Sequence, residues 1–104
     1  MDKALHLLSL ARRAGRIALG YDAVEEAVLK RKALLVLLSE ALSERTRRNI
    51  VRICEGTVPL RMITTEPETI AKFVGKAVGV IAVGDPNLAA AIDKALPSTQ
   101  TDTV

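Results

Sequence analysis

The chain reads as an α/β domain: a four-stranded, mostly parallel or mixed sheet with helices on both faces. Three observations predict this. Apolar stretches of strand length alternate with amphipathic stretches of helix length, in the order helix and then four strand–helix repeats. The run Leu34-Leu35-Val36-Leu37-Leu38 contains no polar residue, the pattern of a strand buried on both faces. The 104 residues suit one domain and show no internal repeat or linker. The expected domain spans residues 1–97. Residues 98–104, Ser98 to Val104, carry no apolar pattern and are expected to be a disordered tail.

The first helix is predicted from the stripe Leu5, Leu7, Leu8, Leu10 and Ala11, with Asp2 available as a cap and Gly15 as a stop. Arg16-Ile17-Ala18-Leu19 makes a short first strand. Gly20 follows it, and Asp22 with Glu25 gives an Asp form of the capping box for the second helix. Val24, Ala27 and Val28 share one face of that helix, and Lys30, Arg31 and Lys32 close it with positive charge at the negative end of its dipole. The apolar run from Leu34 is the second strand, and Ser39-Glu40-Ala41-Leu42 is the loop after it. Ser43 caps a third helix whose inner face is read as Ile50, Val51, Ile53 and Cys54, with Arg45, Arg47, Arg48 and Arg52 on the other, solvated face. Gly56 ends it. Pro59 opens a third strand, Leu60 to Thr64, a position strands tolerate. Thr65 is read as the cap of a fourth helix that runs through Ile70 and Phe73 to Gly75. Val78 to Val83 is the fourth strand. Asp85-Pro86 starts the last helix, with Leu88, Ala91, Ile92 and Ala95 inward, and Pro97 ends it.

Composition narrows the function. Lone Cys54 fits a reducing, cytoplasmic setting and no internal disulfide. The start shows no signal-peptide pattern, and the apolar runs are too short to cross a bilayer, so no membrane role is expected. One Tyr and one Phe argue against RNA modules that stack bases on an aromatic sheet. One His and one Cys, with no phosphate loop, offer no nucleophile–base pair or metal set, so neither enzyme nor cofactor is expected. Glu40 and Asp85 follow strands and could approach a magnesium ion, but Asp85 before Pro86 reads more simply as a cap. Residues 1–52 hold 11 Lys and Arg against 6 Asp and Glu, a net +5, while residues 53–104 carry −2. That asymmetry suits a polyanion on one side of the molecule.

The segments LLSLARRAGRIALGYDAV, KALLVLLSE, ERTRRNIVRICEGTVPLRMI and TIAKFVGKAVGVIAVGD together resemble the YlxQ-like bacterial branch of the ribosomal protein L-seven-Ae family. The superfamily also holds the L-thirty-e-type ribosomal proteins and the Gadd-type growth-arrest proteins. The resemblance covers residues 4–95. It implies a three-layer α/β/α sandwich that binds structured RNA without catalysis: ribosomal RNA or another kink-turn-type RNA, with ribosomal or translation proteins as further partners. The Gadd-type relatives suggest an alternative, a small protein-interaction module on the same fold. In the family, a glycine before the second helix lets the RNA backbone approach, and an Asn-Glu pair and a later Lys reach the sheared G·A pairs. The glycine falls on Gly20. The Asn, Glu and Lys positions are occupied by Asp22, Ala23 and Glu26. Asp accepts but lacks an amide donor, Ala makes no hydrogen bond, and Glu26 reverses a charge. The family's second contact is the loop after the fourth helix, which corresponds to Gly75, Lys76 and Ala77. With Arg13, Arg16 and Tyr21, these residues make the expected RNA-binding rim.

Overall fold

The computed structural model describes residues 2–97. The expected tail lies outside them. The elements are α1 (Asp2–Arg13), β1 (Ile17–Leu19), α2 (Tyr21–Leu29), β2 (Leu35–Ser39), α3 (Glu44–Cys54), β3 (Leu60–Ile63), α4 (Pro67–Val74), β4 (Val80–Val83) and α5 (Pro86–Ala95). The strands form one mixed sheet in the order β1-β4-β2-β3. β2 and β3 are parallel, joined by the crossover through α3, whereas β4 runs antiparallel to both β1 and β2. Of the two expected arrangements the sheet is therefore the mixed one.

The alternation of side chains along β2 and β4 divides the core in two. Leu35, Leu37, Ile81 and Val83 face a layer made by α1, α4 and α5, where they meet Leu5, Leu8, Ile70, Val74 and Ile92. Val36, Leu38, Val80 and Ala82 face α2 and α3, where they meet Val24, Val28, Ile50 and Cys54. All five residues of β2 and all four of β4 are buried. Each large apolar side chain fully buried in this way contributes about 1.5–3 kcal/mol. Ser39 is the exception in kind. It is buried and polar, and it is satisfied: its hydroxyl donates to the Thr65 carbonyl (2.8 Å) and accepts from the Ala41 N–H (3.1 Å).

Several helix details differ from the sequence reading. α2 starts at Tyr21 with Gly20 as its N-cap, and no side chain makes a cap bond, so Asp22 is not the cap. The cause lies in β1: the Gly20 N–H donates to Val80 (3.0 Å), so the strand ends on the glycine and the helix begins at once. Lys30, Arg31 and Lys32 lie beyond the last helical residue, in the turn to β2, where Arg31 has φ 59°. The cap of α4 is Glu66, with Pro67 at the first helical position, and not Thr65. Val51 is 44% exposed, because α3 turns Ile50 and Cys54, with half-buried Ile53, toward the sheet. In α1, Ala4 joins the buried stripe and Leu10 is exposed; in α5, Ala89 is more buried than Ala91. Two caps stand as read: Ser43 accepts from the Thr46 N–H (3.2 Å), and Asp85 accepts from the Leu88 N–H (2.8 Å) with Pro86 following. Exposed His6 meets Phe73 edge to face at 5.2 Å, linking α1 to α4. No helix among the described residues is long and apolar enough to cross a membrane.

Candidate nucleic-acid interface

β1 is an edge strand. It pairs with β4 on one side, and its residues are half-exposed. Ala18 stands opposite Ala82, the Arg16 carbonyl accepts from Gly84 (2.8 Å), and the Gly20 N–H donates to Val80. In the antiparallel alternation this leaves the backbone groups of Ile17 and Leu19 facing the open edge. Two adjoining grooves run along that edge. One, about 530 Å³, is lined by Ile17, Leu19, Ala23, Glu26, Lys30 and Lys76, among others. The other, about 490 Å³, is lined by Gly15, Arg16, Arg31, Lys32, Leu34 and Gly84, among others. Ile17, Ala18, Ala27 and Lys32 belong to both, so the two form one continuous cleft between β1 and α2.

The charge of this cleft is one-sided. Arg16, Lys30, Arg31, Lys32 and Lys76 line it, and among the described residues lining it Glu26 is the one acid. Lys30 Nζ donates to Glu26 at 2.7 Å. That hydrogen bond, and then the Lys30 charge, hold the Glu26 carboxyl below the ordinary carboxylate value. The start of α2 adds to the positive field. Its first helical bond runs from the Val24 N–H to the Gly20 carbonyl (3.0 Å), which leaves the N–H groups of Tyr21, Asp22 and Ala23 with no helical acceptor and no side-chain cap. Such a terminus favours an anion. Gly20 sits at φ 94°, a conformation other residues reach only with strain, so the turn from β1 into α2 favours glycine.

The loop before β4 closes the rim. Gly75 caps α4 in the left-handed conformation, φ 81°. The Arg12 guanidinium lies against it so closely that a Cβ on Gly75 would stand 3.1 Å from Arg12 Nη2. The end of α1 thus lies beside the Gly75–Lys76 loop, and Lys76 reaches the cleft of β1 and α2.

The expected site residues therefore divide. Arg16, Ala23, Glu26 and Lys76 share the cleft. Gly20, exposed Asp22, and exposed Gly75 and Ala77 line neither groove, although Asp22 adjoins Ala23 and both Gly75 and Ala77 adjoin Lys76 in the chain. Tyr21 is half-buried against the α2–α3 side of the core. Arg13 is exposed at the end of α1 and lines neither groove. Sequence reasoning missed Lys30, Arg31 and Lys32, which it took for helix-closing charges. No cluster of His, Cys, Asp and Glu that could hold a metal ion occurs among the described residues. Cys54 is buried, and burial raises its pKa, so it is kept as the thiol.

The family model described as the ribosomal protein L7Ae/L30e/S12e/Gadd45 family matches residues 2–93. The chain belongs to this family. RNA binding is the family's general function. No curated protein matches the chain. A solved structure of a protein with unknown function from Bacillus halodurans C is similar, with 26% identity and a TM-score of 0.83, over 90% of this chain and 96% of that one. The family member described here therefore has the sandwich fold in common with that protein, α1, α4 and α5 on one face and α2 and α3 on the other.

Proposed function

We propose that this protein binds structured RNA of the kink-turn type, without catalysis, as a ribosome- or translation-associated component of the cytoplasm in the YlxQ-like branch of its family. The observation that carries the reading is the cleft between β1 and α2: five cations against one paired carboxylate, beside an uncapped helix start. Phosphate contacts supply most of the affinity, because Asp22, Ala23 and Glu26 replace the side chains that read the G·A pairs. Arg16, Lys76 and the backbone at Gly20 bring the RNA backbone into register.

Titration of a kink-turn RNA and a straight helix at two salt concentrations tests this. Arg16→Ala and Lys76→Ala should each weaken both RNAs about equally and lower the log–log salt slope by roughly 0.7–0.9, one phosphate contact's worth. Both variants should keep the wild-type melting midpoint, since both side chains are exposed. Asp22→Asn with Ala23→Glu and Glu26→Lys should sharpen preference for the kink-turn. Wild type with no salt-dependent binding sinks the reading. One further observation favours the protein-interaction alternative: Leu29 is 71% and Leu34 41% exposed around the α2–β2 turn. Co-purification of a defined protein after RNase treatment, lost on Leu29→Ser, would support it.

A further inference from the structure

A second row of cations lies outside the cleft, on α3. Helical spacing puts Arg45, Arg48 and Arg52 on one face, opposite buried Ile50 and Cys54. All three are exposed, whereas Arg47 turns toward the protein and has its Nε buried. The cations of α3 are all arginines, the side chain whose planar fork matches phosphate. Among the described residues the one ion pair these arginines make is with Glu44, whose carboxylate is 3.8 Å from Arg48, with both side chains well exposed. Like charges three and four residues apart weaken a helix by a few tenths of a kcal/mol per pair. The start of α3 is held against this by Ser43, which accepts from the Thr46 N–H and donates to the Thr46 hydroxyl (3.0 Å).

Topology separates this row from the cleft. α3 is the crossover between β2 and β3, and β3 is the sheet edge opposite β1. α2 walls the cleft with Ala23, Glu26 and Ala27 and packs Val24 and Val28 in the same core layer as Ile50 and Cys54 of α3, so the two cationic surfaces lie on different elements. The row from Arg45 to Arg52 spans about 10 Å of helix axis. A duplex strand carries about one charge per 3.4 Å of its axis, so three guanidinium groups match about three phosphates.

We infer that the outer face of α3 is a second, separate phosphate-binding surface, which takes a second arm of the RNA held in the β1–α2 cleft. The inference rests on the RNA reading above and names a further contact for the same ligand. The protein would then clamp two RNA arms across the α2–α3 layer and not grip one.

The test compares a hairpin with the same hairpin extended by a second helical arm, placed on one side in one RNA and on the other side in another. The variant is Arg45→Gln, Arg48→Gln and Arg52→Gln together. It should bind the simple hairpin as wild type does, and bind one of the two-armed RNAs more weakly, with the log–log salt slope lower by roughly 2–3. Its melting midpoint should stay at or slightly above wild type, because the substitutions relieve the like-charge pairs of α3. Arg16→Ala with Lys76→Ala should weaken all the RNAs, which reads the cleft independently. Equal binding of every two-armed RNA by the α3 variant and wild type, while the cleft variant still fails, overturns the second surface and leaves the cleft standing. Equal losses on hairpin and two-armed RNA show one site and not two, and also overturn it. If RNA binding is intact but a protein partner is lost, the row is a protein contact. If wild type binds none of the RNAs, the RNA reading falls, and the α3 surface falls with it.

Discussion

The inner strands β2 and β4 and the edge strand β1 are made of similar residues, Leu, Val, Ile and Ala, yet they do different things. β2 and β4 have strands on both sides and helices on both faces, and every residue in them is buried. β1 has a strand on one side, half-exposed residues, and cations gathered along its free edge. The difference comes from position in the sheet and not from composition. Where neighbours close every direction, a side chain packs or, as Ser39 does, bonds within the fold, and is not left for a ligand. Where one direction stays open, the backbone and the flanking Arg and Lys side chains are left for a ligand. Stability and binding should therefore respond to separate sets of mutations.

The largest expected effect breaks the inner side of that comparison. Val36 has no exposure and faces the α2–α3 layer from the middle of β2. Val36→Asp buries a carboxylate among apolar groups, with a cost of about 4 kcal/mol. In a domain this size that lowers the melting midpoint by roughly 20 °C or abolishes the cooperative transition. Thermal unfolding followed by circular dichroism checks it, and a midpoint within a degree or two of wild type would contradict the described core.

A smaller effect probes how tightly the inner sheet is closed. Gly79 is buried just before β4, and its carbonyl accepts from the Ser39 N–H (2.7 Å). A Cβ there would lie 2.5 Å from Leu42 Cγ and Cδ2, so Leu42 must move out of its place in the loop before α3. Overpacking of this kind costs about 1–3 kcal/mol. Gly79→Val should lower the midpoint measurably while leaving the RNA salt slope unchanged, since no cleft cation touches this site. A changed slope with an unchanged midpoint would mean the two regions are not independent.

The same contrast explains what the sequence revealed. Leu35 to Leu38 and the stripes of α1 and α2 were legible because burial on both faces or on one face leaves a period in the chain. Ser43 and Asp85 were legible as caps because each bonds a residue three positions on. Asp22 and Thr65 misled because a good capping residue does not fix where the preceding strand ends. Gly20 and Glu66 take those places for reasons that lie across the sheet or in the loop. At the candidate site, Gly20 and Lys76 came from the family pattern. Lys30, Arg31 and Lys32 did not, since three cations after a helix look the same whether they close the helix or line a cleft. Only the pairing of β1 with β4 shows which. Arg12 against Gly75 joins residues 63 positions apart in the chain, and no local signal marks it.

The smallest expected effect sharpens the edge side of the comparison, and it concerns the one acid in the cleft. Glu26 is exposed and bonded to Lys30, which lowers its pKa. A carboxyl lowered in the folded state stabilises the fold above its unfolded pKa and loses that contribution as pH falls through the folded value. At full exposure this contribution is screened by solvent, so Glu26→Gln should leave the melting midpoint unchanged. Binding is different, because the lowered pKa keeps Glu26 ionised through the neutral and mildly acidic range, where it neutralises Lys30 and repels phosphate. Wild-type RNA affinity should therefore show no Glu26-dependent change across that range. Glu26→Gln frees Lys30 for the RNA, and the salt slope should steepen by roughly 0.7–0.9, one contact's worth, with tighter binding at low salt. Combining it with Lys30→Ala should remove the gain. If the E26Q protein binds with the wild-type slope, Lys30 does not face the RNA, and the ligand occupies the Arg16 end of the cleft without reaching the middle of α2.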